Sequence, residues 1–176
     1  MKKISTAYIT RTGLLLALAL IFQIGFRGFA QPAVGPLVNL TLILSAGIVG
    51  TLAGVIVGCL TPLIALSFGI IGIPILVPFI MIGNSLLVII FNLIRKRITL
   101  GGEYVGLALA ALGKFLFLAF SVRYLLDLFT QKNIPPKIMA KLTVMFGLPQ
   151  LYTALVGGIV AVIVMKLIPD SLKLKN

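Results

Sequence analysis

The segment LAALGKFLFLAFSVRYLL, from Leu109 to Leu126, holds two side chains able to do chemistry in an otherwise apolar helix: the Lys114 amine and the Arg123 guanidinium. Both donate hydrogen bonds to acceptors and anions, so the chemistry on offer is capture rather than bond-making. A charge at mid-bilayer costs at least ~2.5–3.5 kcal/mol on insertion scales, which calls for an interior partner, a water-lined cavity or a ligand. Nine positions separate the two residues, about 180° around a straight helix. They are not expected to grip one ligand atom together, and at least one of them reads as structural or as part of a rim.

Other chemistries lack their residues. The chain has no His and one Cys, Cys59, within an apolar run. Its acids are Glu103, Asp127 and Asp170, at or near predicted helix ends. Neither a metal cluster nor a general acid–base pair can be assembled from this set. There is no G-x-x-x-x-G-K-[ST] phosphate loop. The expectation is a protein that is neither an enzyme nor a self-powered pump, with no metal and no cofactor.

The surroundings of Lys114 and Arg123 are those of a membrane protein. Of 176 residues 60% are hydrophobic and only 10% charged, and the mean hydropathy is +1.22. A soluble domain of this size needs far more polar surface. One integral membrane domain over residues 1–176 is expected. The net charge of +12 comes from fifteen Lys and Arg against three acids. It is read as a topology and headgroup signal from the lipid bilayer; no nucleic acid is expected, because the basic residues are scattered along an apolar chain.

Helix boundaries follow from charge and from Pro and Gly. The N-terminal segment reads as a retained first helix, with Arg11 interrupting the signal-peptide pattern and a poor cleavage site in FQIGFRGFAQP. From Val34 to Ile94 the chain has no charge at all. Placing Arg95, Lys96 and Arg97 on the same side as Lys2, Lys3 and Arg11 requires three helices in that stretch. Gly47 and Gly50 serve one turn, and Gly69, Gly72, Pro74 and Pro78 break the other. The result is an all-α membrane protein, a compact bundle of six transmembrane helices at about 7–26, 35–47, 49–67, 75–94, 103–129 and 136–168. Both termini are then cytoplasmic, in a multi-pass protein of the cell membrane. This topology places nine basic residues inside (Lys2, Lys3, Arg11, Arg95, Lys96, Arg97, Lys166, Lys173, Lys175) and four outside (Arg27, Lys132, Lys137, Lys141).

Depth then sorts the polar side chains. At ~1.5 Å per residue, Lys114 lies roughly 16 Å from the start of the fifth helix, near the midplane, and Arg123 approaches the outer surface. Asn84 falls in the outer-to-middle zone of the fourth helix, and Asn39 near the outer end of the second. Gln23 and Arg27 lie near the outer end of the first helix, and Gln150 and Tyr152 around the middle of the sixth. They converge on the outer half of one bundle, as an outward-opening pocket requires. Each also has a plainer reading. Arg27 and Arg123 can snorkel to headgroups, Arg123 can pair with Asp127, and Asn39, Asn84 and Gln150 can serve as interhelical glue.

Small residues recur four apart: Gly13 and Ala17; Ala46, Gly50, Gly54 and Gly58; Gly102, Gly106 and Ala110; Ala154 and Gly158. Most of this is internal packing, and a small-residue patch left facing lipid would be a docking surface.

With Gly13 and Ala17 in helix 1, GPLVN at 35–39, GIVGTLAGVIVGCLTP at 47–62 and PFIMIGN at 78–84, essentially the whole chain resembles the substrate-binding S components of energy-coupling factor (ECF) vitamin transporters. The resemblance implies high-affinity capture of a small-molecule vitamin or precursor from outside. It further implies association with a transmembrane coupling subunit and two ATPase subunits, whose ATP use topples the S component to release its cargo inside. The family's usual Ala-x-x-x-Ala docking motif has Gly13 in its first position here. Gly13 and Ala17 would meet the coupling subunit.

The pocket candidates are Arg27, Asn39, Asn84, Lys114, Arg123 and Gln150, chosen by depth rather than by a shared motif. Without Trp, and with only Tyr124 and Tyr152 near the pocket, a large flat ring held between aromatics is poorly supported. A cation would meet the wrong field, and a small anionic, hydroxylated molecule such as pantothenate suits Lys, Arg and Asn. A stand-alone facilitator or channel for a small organic anion, and a ligand-free structural subunit, are the other readings.

Overall fold

The computed structural model describes residues 5–26, 28–29, 31–126, 129, 134–169, 171 and 173. Arg27 and Asp127, and with Asp127 the expected Arg123–Asp127 pair, lie outside the described residues. Among the described residues every regular element is a helix. We number them α1 (Thr6–Leu20, wound on as a π-turn over Ile21–Gly25), α2 (Gln31–Leu44, with a π-turn over Ser45–Val49) and α3 (Thr51–Ser67). Then follow α4 (Leu76–Arg97), α5 (Gly102–Phe120, with a π-turn over Ser121–Leu125), α6 (Pro136–Met145) and α7 (Leu148–Leu167).

Local chemistry explains the ends. Ser5 caps α1 by accepting a hydrogen bond from the Tyr8 N–H at 3.2 Å. Gly50 alone separates α2 from α3, at φ 138° and ψ 169°, a conformation essentially reserved for glycine. Gly69, at φ 68°, closes α3 in a Schellman turn: its N–H bonds Leu66 O at 3.0 Å and the Ile70 N–H bonds Ala65 O at 2.9 Å. Arg95, Lys96 and Arg97 sit at the C-terminus of α4 and Glu103 in the first turn of α5, each favourable to its helix dipole.

Four stretches are long and apolar enough to cross a membrane: Thr6–Gly25, Leu76–Arg97, Gly102–Leu125 and Pro136–Leu167. Where the second and third spans were expected lie the apolar helices Ala33–Val49 and Thr51–Ser67, which are shorter than those four. The expected sixth helix is divided. Phe146 and Gly147 leave the helical path between α6 and α7, with Gly147 at φ −88° and ψ −135°. Pro149 follows at the start of α7, where its missing N–H is harmless; an unbroken helix would set its ring against the Met145 carbonyl.

The bundle is apolar on both sides of its wall. Leu14, Ile21, Leu52, Leu116 and Ile163 are exposed, an outer surface that suits acyl chains. Inside are two hydrophobic clusters. One joins Leu42, Ile43, Val57, Leu87, Phe91, Leu107 and Val162; the other joins Leu76, Phe79, Leu118, Val122, Leu142 and Phe146. Small residues let the helices meet at backbone distance. A Cβ at Gly157 of α7 would run into the Pro36 carbonyl oxygen of α2, and one at Gly106 of α5 would lie 3.0 Å from the Phe91 carbonyl oxygen of α4. Gly13, exposed on α1, would meet nothing within 4 Å.

At the C-terminal end of α4 a polar knot ties four helices. Arg95 Nε donates to Asn92 Oδ1 at 2.6 Å, Asn92 Nδ2 to Thr51 Oγ1 at 2.6 Å, and Arg95 Nη2 to the Gly47 carbonyl at 3.1 Å. The guanidinium also lies 5.5 Å from the Phe91 ring centre and reaches Met165 Sδ at 3.9 Å.

These contacts give opposite expectations for two glycines. Gly157→Val forces α7 away from α2 and costs stability at or above the upper end of the ~1–3 kcal/mol typical of overpacking. Gly13→Leu leaves stability within about 0.5 kcal/mol. Thermal unfolding of both variants in detergent checks the pair, and similar melting temperatures would contradict this packing.

Candidate functional site

The site begins with a backbone defect. Pro62 lies inside α3 and has no N–H to offer the carbonyl of Gly58, one turn earlier. Asn84 of α4 supplies the missing donor, Nδ2 to Gly58 O at 2.9 Å. Gly58 lets the side chain come this close, since a Cβ there would sit 3.0 Å from Asn84 Cβ. With its nitrogen engaged, Asn84 turns its oxygen to the bundle interior, where Lys114 Nζ donates to it at 2.8 Å.

Asn39 of α2 repeats the arrangement. Its Nδ2 donates to Thr153 Oγ1 of α7 at 3.3 Å, and its Oδ1 accepts from Lys114 Nζ at 2.7 Å. A lysine ammonium only donates, so both amides present oxygen to it, and this fixes their orientation. The pair of bonds joins α2, α4 and α5 directly and α3 and α7 through the amides. Lys114 is 4% exposed, Asn39 2% and Asn84 3%. Among the described residues no carboxylate faces Lys114, and two of its three donors are engaged.

A cavity of about 530 Å³ opens from this group toward the N-terminal end of α4. Its polar lining is Lys114, Asn39, Asn84, Gln150, Gln23, Thr61 and Lys141. Apolar walls come from Val34 and Val38 of α2, from the turn at Ile70, Ile71, Gly72 and Ile73, and from α6. In α6 the lining residues Ile138, Lys141, Leu142 and Met145 follow one helical face. The volume lies within the ~300–1,000 Å³ of small-molecule sites.

Of the six expected pocket residues, Asn39, Asn84, Lys114 and Gln150 line this cavity. Arg27 lies outside the described residues. Arg123 does not line it: the residue is exposed, in the π-turn that continues α5. Tyr124 and Tyr152 are also exposed, and the aromatic lining comes instead from Phe29 and Phe146. Gln150 has a structural duty as well, its Nε2 bonding the Met145 carbonyl at 3.2 Å across the α6–α7 break.

Gln23, placed by depth with the converging polar residues but not among the six candidates, lines the cavity; Thr61, Lys141 and the 70–73 turn were not expected there. The i, i+3, i+4, i+7 spacing of 138, 141, 142 and 145 was the available signal for α6. No comparable signal marked the turn, whose residues look like any loop between apolar helices. The Thr61 hydroxyl donates back to Val57 O at 2.9 Å.

A family model described as "ECF transporter, substrate-specific component" matches residues 7–169. Searches of curated proteins and of solved structures return no significant match.

The mutual dependence of Lys114 and Asn84 is open to a double-mutant cycle. Asn84→Leu is expected to cost about 1.5–3 kcal/mol of stability, as for a hydrogen bond to a charged group. Part of that cost should vanish in a Lys114→Met background, giving a coupling energy of roughly 0.5–3 kcal/mol. Unfolding measurements on the four proteins decide it, and strictly additive costs would show that the amine does not need the amide.

Proposed function

This chain belongs to the substrate-specific component family of ECF transporters, and from that membership we propose that it captures a small anionic vitamin or precursor, with pantothenate the leading candidate. The observation that carries the reading is the Lys114 amine, held by two neutral amide oxygens and facing a cavity of about 530 Å³. Amide oxygens orient an ammonium but bring no countercharge, so an acidic ligand supplies what the protein withholds. Lys141 adds a second amine to the lining. Phe29 and Phe146 give the ligand's carbon skeleton apolar contact.

The proposed topology has both termini cytoplasmic and the cavity open to the outside. What supports it is the run Arg95–Lys96–Arg97 at the opposite end of α4 from the cavity residues Leu76 and Ile80. The proposed partners are a transmembrane coupling subunit and two ATPase subunits, which the family implies and which would supply the energy. Gly13 and Ala17 are the proposed contact with the coupling subunit: both are exposed on α1, while Gly54, Gly58, Gly106 and Gly158 face other helices of the bundle. A stand-alone facilitator needs a path through the far end, and there the Arg95 knot joins four helices.

Two measurements follow. Lys114→Met should weaken pantothenate binding by about 1.5–3 kcal/mol, roughly tenfold to a hundredfold; calorimetric titration of the purified chain reads this directly, and unchanged affinity would remove the anion argument. Ala17→Trp should leave that affinity within about twofold, since surface changes shift energies by ~0.5 kcal/mol or less, yet abolish uptake into cells and co-purification of the coupling subunit. Uptake at the wild-type rate would move the docking surface elsewhere.

A further inference from the structure

We infer that Gln23 is a specificity-determining residue of the cavity, whose side-chain oxygen accepts a hydrogen bond from a hydroxyl of the bound acid. The inference rests on the capture function proposed above. Gln23 stands in the π-wound end of α1, within Ile21–Gly25, and lines the cavity together with Lys114. Single π-turns inside α-helices recur at functional sites, because the surplus residue re-aims a side chain.

The other amides of the lining are engaged. Asn39 and Asn84 give their oxygens to Lys114 and their nitrogens to Thr153 and Gly58. Gln150 gives its nitrogen to the Met145 carbonyl. Gln23 Oε1, by contrast, is buried and has no hydrogen-bond partner among the described residues. Two other buried oxygens share that condition, Tyr8 Oη and Ser121 Oγ, and neither residue lines the cavity. A buried amide oxygen without a donor is costly, and each such group in a folded protein calls for an explanation.

The two ends of the lining therefore make different demands. Lys114 donates, and asks for the acid group. Gln23 accepts, and asks for an O–H on the same molecule. The ligand class is a hydroxylated carboxylic acid rather than a plain one. An analogue that lacks the matching donor leaves this acceptor unpaired and forfeits the hydrogen bond that the hydroxylated acid gains.

Calorimetric titration of the full chain in lipid nanodiscs tests this, with two probes: pantothenate and its analogue lacking both hydroxyls. Gln23→Leu should weaken pantothenate by roughly tenfold to a hundredfold and the analogue by less than about threefold, since only the first contact is lost. Lys114→Met should weaken both probes alike. Without ligand, Gln23→Leu should melt at or above the wild-type temperature, because an apolar group replaces an orphaned polar one. If Gln23→Leu weakens both probes equally, leaves both unchanged, or lowers the unliganded melting temperature, the role of Gln23 is overturned while the anion reading stands on Lys114→Met. If the wild type binds neither probe, or Lys114→Met changes nothing, the capture of such an acid is itself wrong and the Gln23 inference falls with it.

Discussion

An amine at the centre of a greasy bundle must be given oxygen, and much of this molecule is arranged to give it. Lys114 takes one amide oxygen from α2 and one from α4. Each amide then needs somewhere to put its nitrogen. Asn39 finds Thr153, and Asn84 finds the carbonyl that Pro62 leaves without a helical partner. Five helices are thereby brought into register by one side chain, in a medium where water cannot stand in for a missing partner. The same arrangement leaves the amine with neutral neighbours.

The polar layer also divides the interior. Along α5, Lys114 falls between Ala111 of one hydrophobic cluster and Leu118 of the other; along α4, Asn84 falls between Leu87 and Phe79. On one side the helices close tightly, with Gly54, Gly106 and Gly158 against neighbouring helices and the Arg95 knot at the end. On the other side they part to leave the cavity. Small residues are spent on closing the first half, and the face of α1 bearing Gly13 and Ala17 stays uncovered.

How far the sequence could be read follows from the solvent. Uncharged runs broken by Pro and Gly mark an all-helical chain with membrane-length helices, because a membrane sets a length. A charge at a countable depth also singles out Lys114, and Asn39 and Asn84 with it. Rotation about each helix axis is harder to read, since lipid-facing and core-facing residues are alike apolar and no amphipathic stripe tells Leu116, exposed, from Leu118, buried. The π-turn that carries Gln23 has no recognised sequence sign. The interruption at Phe146 and Gly147 was legible only in retrospect, through Pro149. Arg123 shows the converse: its half-turn offset from Lys114 on a straight helix was a sufficient reason to separate the two, and the depth argument alone grouped them.

That interruption has a consequence for how such a protein can change over generations. α7 packs along α2 and fixes the frame, whereas α6 is ten residues of separate helix contributing one wall of the chamber. Two non-helical residues stand between them, so the cavity-lining side chains at 138, 141, 142 and 145 belong to a different helix from the one that packs along α2. Descent toward a new cargo has, in this short panel, a place to experiment while the chassis is inherited intact.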